Sequence, residues 1–276
     1  MKDRVLMFVG AHPDDETFGP GATLAAYAAA GARVVYVCAT RGEAGSARAR
    51  DLRRCSNLAD LRSRELACAA RRLGLATVAY LGYRDSGMPG TPDQGHPRAL
   101  VRATLEQVGK DVLAAVDEHR PQVIVTFDAL GAYGHADHVA IHRATSEAFR
   151  AAREGPGGPQ RLYYWIPRRD RLRQLVRVLR LLGRDPSRMG RHRDVDLASM
   201  AAVDFPVHAR IAVPRSAVAR RHAALACHRS QLDGPLPLRR LVWLLSRRAT
   251  YETFMRAHPE PLAGEPLETD LFGRAP

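Results

Sequence analysis

Short apolar runs separated by longer mixed segments recur along the chain. Each run has the length of a strand and carries few charged residues, which is typical of a strand buried on both faces of a parallel sheet. We predict strands at residues 5–9, 33–39, 77–81, 123–127 and 161–166.

The segments between these runs carry helical signals. In residues 60–73 the apolar positions fall near helical spacing, and the segment is followed by Gly74, a residue that commonly ends a helix. Because strands and helices alternate, we interpret the chain as an α/β protein with a mostly parallel sheet and flanking helices. The other predicted helices lie at residues 19–31, 98–119, 139–153 and 168–184.

The 276 residues suffice for one large domain and do not require a second. We therefore assign residues 1–276 to a single domain. The pattern weakens from residue 154, and we predict a basic helical insertion near residues 168–194.

No stretch of sequence approaches the roughly 18 uninterrupted apolar residues of a membrane span. The first residues lead directly into a strand and not into the apolar region of a signal peptide. The cysteines show no metal-type spacing, so we expect them to be reduced and the protein to be cytoplasmic. They are Cys38, Cys55, Cys68 and Cys227.

A net charge of +13 raises the question of nucleic acid. Only Lys2 and Lys110 are lysines, so arginines supply nearly all of the positive charge, and they are spread along the chain. There is no basic motif interleaved with aromatic residues of the kind that stacks bases. We expect no nucleic-acid partner. The helix at residues 168–184 is basic on one face, which suits either a solvated surface or contact with an anionic membrane.

Candidate chemistry follows two of the predicted strands. The run 5–9 is followed by His12 and by three consecutive acidic residues, and the run 123–127 is followed by two further histidines. Carboxyl ends of parallel strands meet at one edge of a sheet, where α/β proteins open their ligand crevice. Imidazole and carboxylate are zinc ligands, and a catalytic zinc site uses three of them. An acidic turn after a strand also suits a helix cap, which is the alternative for Asp14, Asp15 and Glu16.

The two motifs are His-Pro-Asp-Asp-Glu at residues 12–16 and His-Ala-Asp-His at residues 135–138. Together they resemble the PIG-L/LmbE family of zinc-dependent N-deacetylases, which remove acetyl groups from N-acetylglucosamine-type amines. Many members of that family have proline where this chain has Ala136. The resemblance implies a Rossmann-like sheet, one zinc ion and a small amino-sugar substrate.

The resemblance also implies roles for individual residues. His12, Asp15 and His138 are expected to bind the metal, and Asp14 to act as general base. His135, if it is cationic, is expected to stabilise the oxyanion, with Asp137 orienting its ring. Tyr133 is expected to be a further donor to the oxyanion. His142 competes as a metal ligand, and we reject it because the family does not use it.

Substrate contacts are expected from three loops or helices. Glu43 lies in a Thr-Arg-Gly-Glu loop after the second strand, and Asp85 lies in a segment similar to the sugar-contacting loop of mycothiol-pathway relatives. Arg64 is expected near the sugar. An exposed ion pair is the alternative for Arg64, and a turn is the alternative for Asp85. The His-Arg-Ser-Gln stretch at residues 228–231 also resembles the family, but its role does not follow from the sequence.

The expected reaction is hydrolysis of the N-acetyl amide, which releases acetate and a free amine. A related amidase that cleaves a larger glucosamine-linked amide, such as a thiol conjugate, is the first alternative. A family member that only binds sugar is the second, and a basic interaction protein is the third. The sequence indicates neither the aglycone nor an oligomeric state.

Overall fold

The computed structural model describes residues 4–53, 55–189, 195–232 and 250–273. The strands within these residues are Val5–Gly10 (β1), Arg33–Thr40 (β2), Thr77–Tyr83 (β3), Val123–Phe127 (β4), Arg161–Ile166 (β5), Ala209–Ala212 (β6) and Tyr251–His258 (β7). They form one seven-stranded sheet of order β3-β2-β1-β4-β5-β7-β6. The first five strands along the chain pair in parallel, whereas β7 pairs antiparallel with both β5 and β6.

Strand β1 lies at the centre of the parallel part, and all six of its residues are buried. It pairs with β2 on one side, where Leu6 lies opposite Val34, and with β4 on the other, where Leu6 lies opposite Val123. The chain winds from β1 outward to β3, then returns to place β4 on the opposite side of β1. The strand order therefore reverses between β1 and β4, the kind of position at which open α/β sheets bind their ligands.

Helices pack in two groups. Three helices, α2, α4 and α10, contact one another through a small apolar cluster, and α5 packs against α7 beside the main core. Helix bounds are Asp15–Phe18 (α1), Gly21–Ala29 (α2), Ala49–Leu52 (α3), Leu58–Leu73 (α4), Leu105–His119 (α5), Gly131–Gly134 (α6), Ala136–Ala152 (α7), Arg169–Leu181 (α8), Leu197–Ala202 (α9) and Arg215–Leu225 (α10); Pro92–Gly95 and Leu100–Arg102 are 3-10 turns.

The predicted α/β fold is confirmed, and several element ends agree with the sequence pattern. Helix α4 ends at Gly74 in a left-handed conformation, as its position after the last apolar residue predicts. The basic helix exists as α8, and residues 190–194 of the predicted insertion lie outside the described residues. No helix in the described ranges is both long and apolar enough to cross a membrane.

Two cysteines differ from the sequence-based expectation. Cys68 on α4 and Cys227 after α10 form a disulfide with a Cα–Cα distance of 5.8 Å. The prediction of reduced cysteines is therefore wrong for this pair, while Cys38 and Cys55 are free. The two partners are 159 residues apart in sequence, and only the packing of α10 against α4 brings them together. Cytoplasmic localisation, which rested on reduced cysteines, stays a prediction.

Candidate active site

The first motif leaves the sheet at Gly10, the last residue of β1. A Cβ at this position would lie 2.7 Å from the hydroxyl of Tyr36, so only glycine permits this close approach. The same hydroxyl donates to the carbonyl oxygen of His12 at 2.6 Å. Residues of β1 and β2 thus fix the backbone of His12 at the carboxyl edge of the sheet.

The second motif is held by the turn that follows β4. Asp128 Oδ1 accepts from the backbone N–H of Leu130 at 2.8 Å, and Gly131 takes a positive φ of 62°. A Cβ on Gly131 would lie 2.8 Å from the Cβ of His138. The imidazole of His138 stacks on Phe127 with ring centroids 3.9 Å apart. This stack sets the direction in which His138 enters the site.

Three of the predicted side chains converge. His12 Nδ1 lies 3.2 Å from His138 Nε2, His138 Nε2 lies 3.3 Å from Asp15 Oδ1, and His12 Nδ1 lies 3.8 Å from Asp15 Oδ2. All three residues are buried. Two imidazole nitrogens and one carboxylate oxygen at these separations suit a single divalent ion, and the donor types are those of zinc.

Asp15 is held in place by its own loop. Its Oδ2 accepts from the backbone N–H groups of Ala11 at 2.9 Å and His12 at 2.7 Å. Burial alone would raise the pKa of Asp15, but His138 and His12 hold it well below its usual range. The carboxylate is therefore charged, as a metal ligand must be.

Neighbouring residues give further combinations of donors. His12, His135 and His138 offer ligand atoms within 4.8 Å of one another, and so do His12, Asp85 and Asp137. The chain therefore has a candidate His/Asp metal site at the reversal point of the sheet.

Asp137 has a different partner from the one we expected. Its carboxylate Oδ2 lies 3.1 Å from His12 Nε2 and accepts from the backbone N–H of Ser86 at 3.0 Å. The expectation that this carboxylate orients His135 is therefore wrong. A proton on Nε2 of His12, shared with Asp137, leaves Nδ1 free to face an ion, an arrangement common among metal-bound histidines.

His135 is the N-cap of α7, and its Nδ1 accepts from the backbone N–H of Asp137 at 3.2 Å. Burial, together with His12 and His138, lowers the pKa of His135 to about 2. The ring is therefore neutral in this structure, and the condition of a cationic His135 is not met. A neutral ring that accepts at Nδ1 carries its proton on Nε2, so His135 remains a hydrogen-bond donor.

Asp14, the neighbour of Asp15 in sequence, contacts Arg62 through its carboxylate. Its Oδ2 accepts from Arg62 at 3.1 Å, and its side chain is 17% exposed, more than that of Asp15. Burial and the charge of Asp15 raise the pKa of Asp14 to about 6, against the opposing effect of Arg62. Asp14 makes no side-chain cap on α1, so the helix-cap alternative does not describe it.

Arg62 is a site residue that the sequence reasoning missed. It is buried, and its guanidinium donates to the carbonyl oxygens of Pro13 at 2.7 Å and Gly42 at 3.1 Å in addition to Asp14. Its Nη1 also lies 3.8 Å from Asp85 Oδ2. A signal existed in the sequence, because position 62 belongs to the buried face of α4, where a charged residue needs partners.

Arg64, the arginine that we expected near the sugar, lies on the other face of α4. Its side chain is 61% exposed and pairs with Asp60 one turn earlier. The alternative of an exposed ion pair describes this residue. The structure brings Arg62, and not Arg64, to the candidate site.

The remaining predicted residues surround the cluster. Asp85 is buried, with Oδ1 3.4 Å from His12 Nε2, and it also accepts from the backbone N–H of Gly87, so it serves a turn as well. Glu43 accepts from the backbone N–H of Asp85 at 3.0 Å. The ring of Tyr133 lies edge-on to His138 at 5.1 Å. His142 bonds the carbonyl oxygen of Phe127 at 2.9 Å, outside the cluster.

A buried His/Asp cluster at the reversal point of a mostly parallel sheet suits a metal-dependent hydrolase. Residues 7–149 match the PIG-L family, described as GlcNAc-PI de-N-acetylase. The chain belongs to this family. The resemblance inferred from the two motifs is thereby confirmed, together with the expectation of an enzyme that hydrolyses amide bonds.

Known relatives agree with this assignment. The 1D-myo-inositol 2-acetamido-2-deoxy-alpha-D-glucopyranoside deacetylase of Acidothermus cellulolyticus is 36% identical over 98% of this chain and 94% of its own length. A conserved protein of Thermus thermophilus superposes with a TM-score of 0.57 at 25% identity, covering 94% of this chain and 96% of that one. The N,N'-diacetylchitobiose deacetylase of Pyrococcus horikoshii shares the fold, with a TM-score of 0.60 at 17% identity over 95% and 88% of the two chains.

Proposed function

We propose that this protein is a zinc-dependent deacetylase of an N-acetylglucosaminide whose aglycone is a polar ring such as inositol. The observation that carries the proposal is the convergence of His12, Asp15 and His138, with Asp14 beside them. Relatives named for the deacetylation of an inositol-linked N-acetylglucosamine, aligned over nearly the whole chain, support the choice of substrate.

We assign the metal to His12 Nδ1, His138 Nε2 and the carboxylate of Asp15. When bound, a zinc ion supplies Lewis acidity that polarises the amide carbonyl and lowers the pKa of water to about 7. Asp137 and Phe127 hold the two imidazoles in the orientation that this site requires.

Asp14 is assigned the proton transfers. Its carboxylate takes a proton from the attacking water while the new C–O bond forms at the amide carbon. The same proton then passes to the amine nitrogen as the C–N bond breaks, so the products are acetate and a free amine. Arg62 donates to this carboxylate and holds it in place.

Two neutral donors are assigned to the oxyanion. His135 carries its proton on Nε2, and the phenol of Tyr133 stays protonated because burial raises its pKa well above the ordinary value. Their rings lie 5.9 Å apart, so both belong to the same side of the site. Donors aimed at developing negative charge are among the strongest contributors to amide hydrolysis.

Sugar recognition is assigned to Arg62 and Asp85, which border the cluster, with Glu43 supporting Asp85. Arg64 has no place in this assignment because it faces solvent. Membrane contact by α8 stays a prediction.

The proposal is tested by acetate release. Zinc-loaded protein is assayed on inositol-linked N-acetylglucosamine, on N-acetylglucosamine and on diacetylchitobiose, with chelator-treated protein as the control. We expect turnover of the inositol conjugate that disappears with the metal. Hydrolysis of a larger glucosamine-linked amide in its place would support the amidase alternative, and sugar binding without any turnover would support the binding-protein alternative.

A further inference from the structure

The His-Arg-Ser-Gln stretch, to which the sequence assigned no role, reaches the base of the candidate site. It follows α10, and His228 is completely buried, with Nε2 2.7 Å from Glu16 Oε1. Nδ1 of the same ring has no hydrogen-bond partner among the residues that the structure describes. The polar contact of this imidazole is thus directed at Glu16, a residue 212 positions earlier in the sequence.

Glu16 contacts both His228 and Asp14 and so connects them. Its Oε1 accepts from His228 and from the hydroxyl of Thr17, while its Oε2 accepts from the backbone N–H of Asp14 at 2.9 Å. Glu16 is itself completely buried. A buried carboxylate needs a cationic or hydrogen-bonding partner, and His228 is the partner that comes from a distant part of the chain.

Asp14 needs this support because of its backbone conformation. It takes a φ of 125°, which is unfavourable for any residue that has a Cβ. Such conformations persist where surrounding contacts hold them, and they concentrate at functional sites. The backbone N–H of Asp14 is held by Glu16, and its side chain is held by Arg62. If Glu16 were released, the peptide at Asp14 would be free to rotate and carry its carboxylate away from the metal ligands.

We infer that His228 is a positioning residue, which acts through Glu16 to hold Asp14 in the orientation required for proton transfer. The inference rests on the proposed function, in which Asp14 is the general base.

A purely structural role for the stretch is the alternative. Ser230 donates through its backbone N–H and its hydroxyl to Glu65 at 2.8 and 2.6 Å, and Cys227 is bonded to Cys68. These contacts join the stretch to α4 without touching Glu16. Ser230 is therefore a control from the same stretch.

The matched variants are His228→Gln and His228→Asn. Glutamine places its amide donor near the position of Nε2 and reaches Glu16, whereas asparagine places its donor near Nδ1 and does not. We expect His228→Asn to lower kcat by about 10- to 100-fold, since displacement of a catalytic group by about 1 Å costs up to about 10²-fold. KM and metal content should stay unchanged. We expect His228→Gln to recover most of kcat and Ser230→Ala to keep it.

Equal kcat values for the Gln and Asn variants would overturn the inference, because they would show that the bond to Glu16 does not matter. A loss of kcat in Ser230→Ala as large as that in His228→Asn would overturn it in favour of the structural role.

A second comparison tests whether His228 acts through Asp14. In an Asp14→Asn background the base is already lost, so His228→Asn should reduce kcat little further. If the two losses multiply instead, His228 acts by another route and the inference is wrong.

Crystal structures of the wild type and the two His228 variants keep the inference testable apart from activity. We expect Asp14 to leave the positive-φ region in His228→Asn and to keep it in His228→Gln. Unchanged Asp14 in the Asn variant would overturn the inference whatever the activity. By contrast, absence of acetate release by the wild type, or a wild-type rate in Asp14→Asn, would count against the proposed function.

Discussion

The imidazole of His12 lies between Asp137 and His138: its Nε2 is 3.1 Å from Asp137 Oδ2, and its Nδ1 is 3.2 Å from His138 Nε2. The contact with Asp137 sets which nitrogen of His12 faces the other proposed ligands. In the proposed site Asp137 supports metal binding without binding the metal itself, and it does so from the helix that also carries His138.

We expect Asp137→Asn to weaken zinc affinity by about 10- to 100-fold, the usual effect of losing a carboxylate behind a ligating histidine. Chelator competition on the purified variant measures this change. Asp128→Asn is the control, because Asp128 also follows β4 but, among the residues that the structure describes, accepts only from backbone N–H groups, a role that asparagine can keep. Equal affinity in the wild type and Asp137→Asn would show that His12 does not depend on this partner.

His138→Ala should yield protein with little bound metal, because one of three proposed ligands is lost. Elemental analysis of protein purified without chelator gives the metal content. His142→Ala removes an imidazole one turn further along α7, and it should retain the metal of the wild type. Full occupancy in His138→Ala would remove this residue from the ligand set.

Replacement of Asp14 and replacement of Asp15 should have different effects on catalysis and on bound zinc. Asp14→Asn keeps the shape of the side chain but removes its basicity, so we expect zinc to be retained while kcat falls by about 10²- to 10⁴-fold. Asp15→Asn should lose zinc. Metal analysis and acetate release on the same preparations separate the two effects. An Asp14→Asn variant without metal would contradict the assignment of Asp14 as the base and Asp15 as the metal ligand.

Two arginines on α4 offer a matched pair. Arg62→Gln should lower kcat/KM by about tenfold or more, a loss of about 1.4 kcal/mol or more in transition-state stabilisation, because Asp14 loses its guanidinium partner. Arg64→Gln should leave kcat/KM unchanged, since that side chain faces solvent. Steady-state kinetics on one substrate gives kcat/KM for the wild type and both variants. Equal losses in both variants would contradict the placement of Arg64 outside the site.

Far from the site, Glu268 links β5 and β7. It accepts from Arg161 at 2.6 Å, Arg256 at 2.7 Å and Tyr163 at 2.6 Å. Burial alone would raise the pKa of Glu268, but these three partners hold it below the usual range. Its stabilisation is therefore present above the unfolded-state pKa of about 4.3 and is lost as the pH falls through the lower folded-state pKa.

Replacing Glu268 should show this pH dependence. We expect Glu268→Gln to lower Tm by about 2–4 °C at pH 7, with a smaller difference from the wild type near pH 3.5, a pH below the unfolded-state pKa, where this stabilisation is being lost. Thermal unfolding at both pH values measures it. Glu154→Gln, at a position whose side chain is 80% exposed, should show no such dependence. A Glu268→Gln difference that stays constant with pH would contradict the lowered pKa.

Much of the fold follows from the sequence alone. Apolar runs at residues 123–127 and 161–166 are strands with those same bounds, because the strands of a covered parallel sheet are largely apolar. Parallel strands also place their carboxyl ends at one edge, so two motifs more than 100 residues apart were predicted to meet. His12 and His138, 126 positions apart in sequence, do so at 3.2 Å.

Tertiary structure decided which atoms pair within that edge. We expected Arg64 near the sugar, but it is the buried face of α4, which carries Arg62, that reaches Asp14. Likewise Asp137 meets His12, and His228 meets Glu16 across 212 residues. The physical reason is that periodicity specifies faces and strand ends. The choice of partner depends on side-chain direction and on how helices from distant parts of the chain pack together.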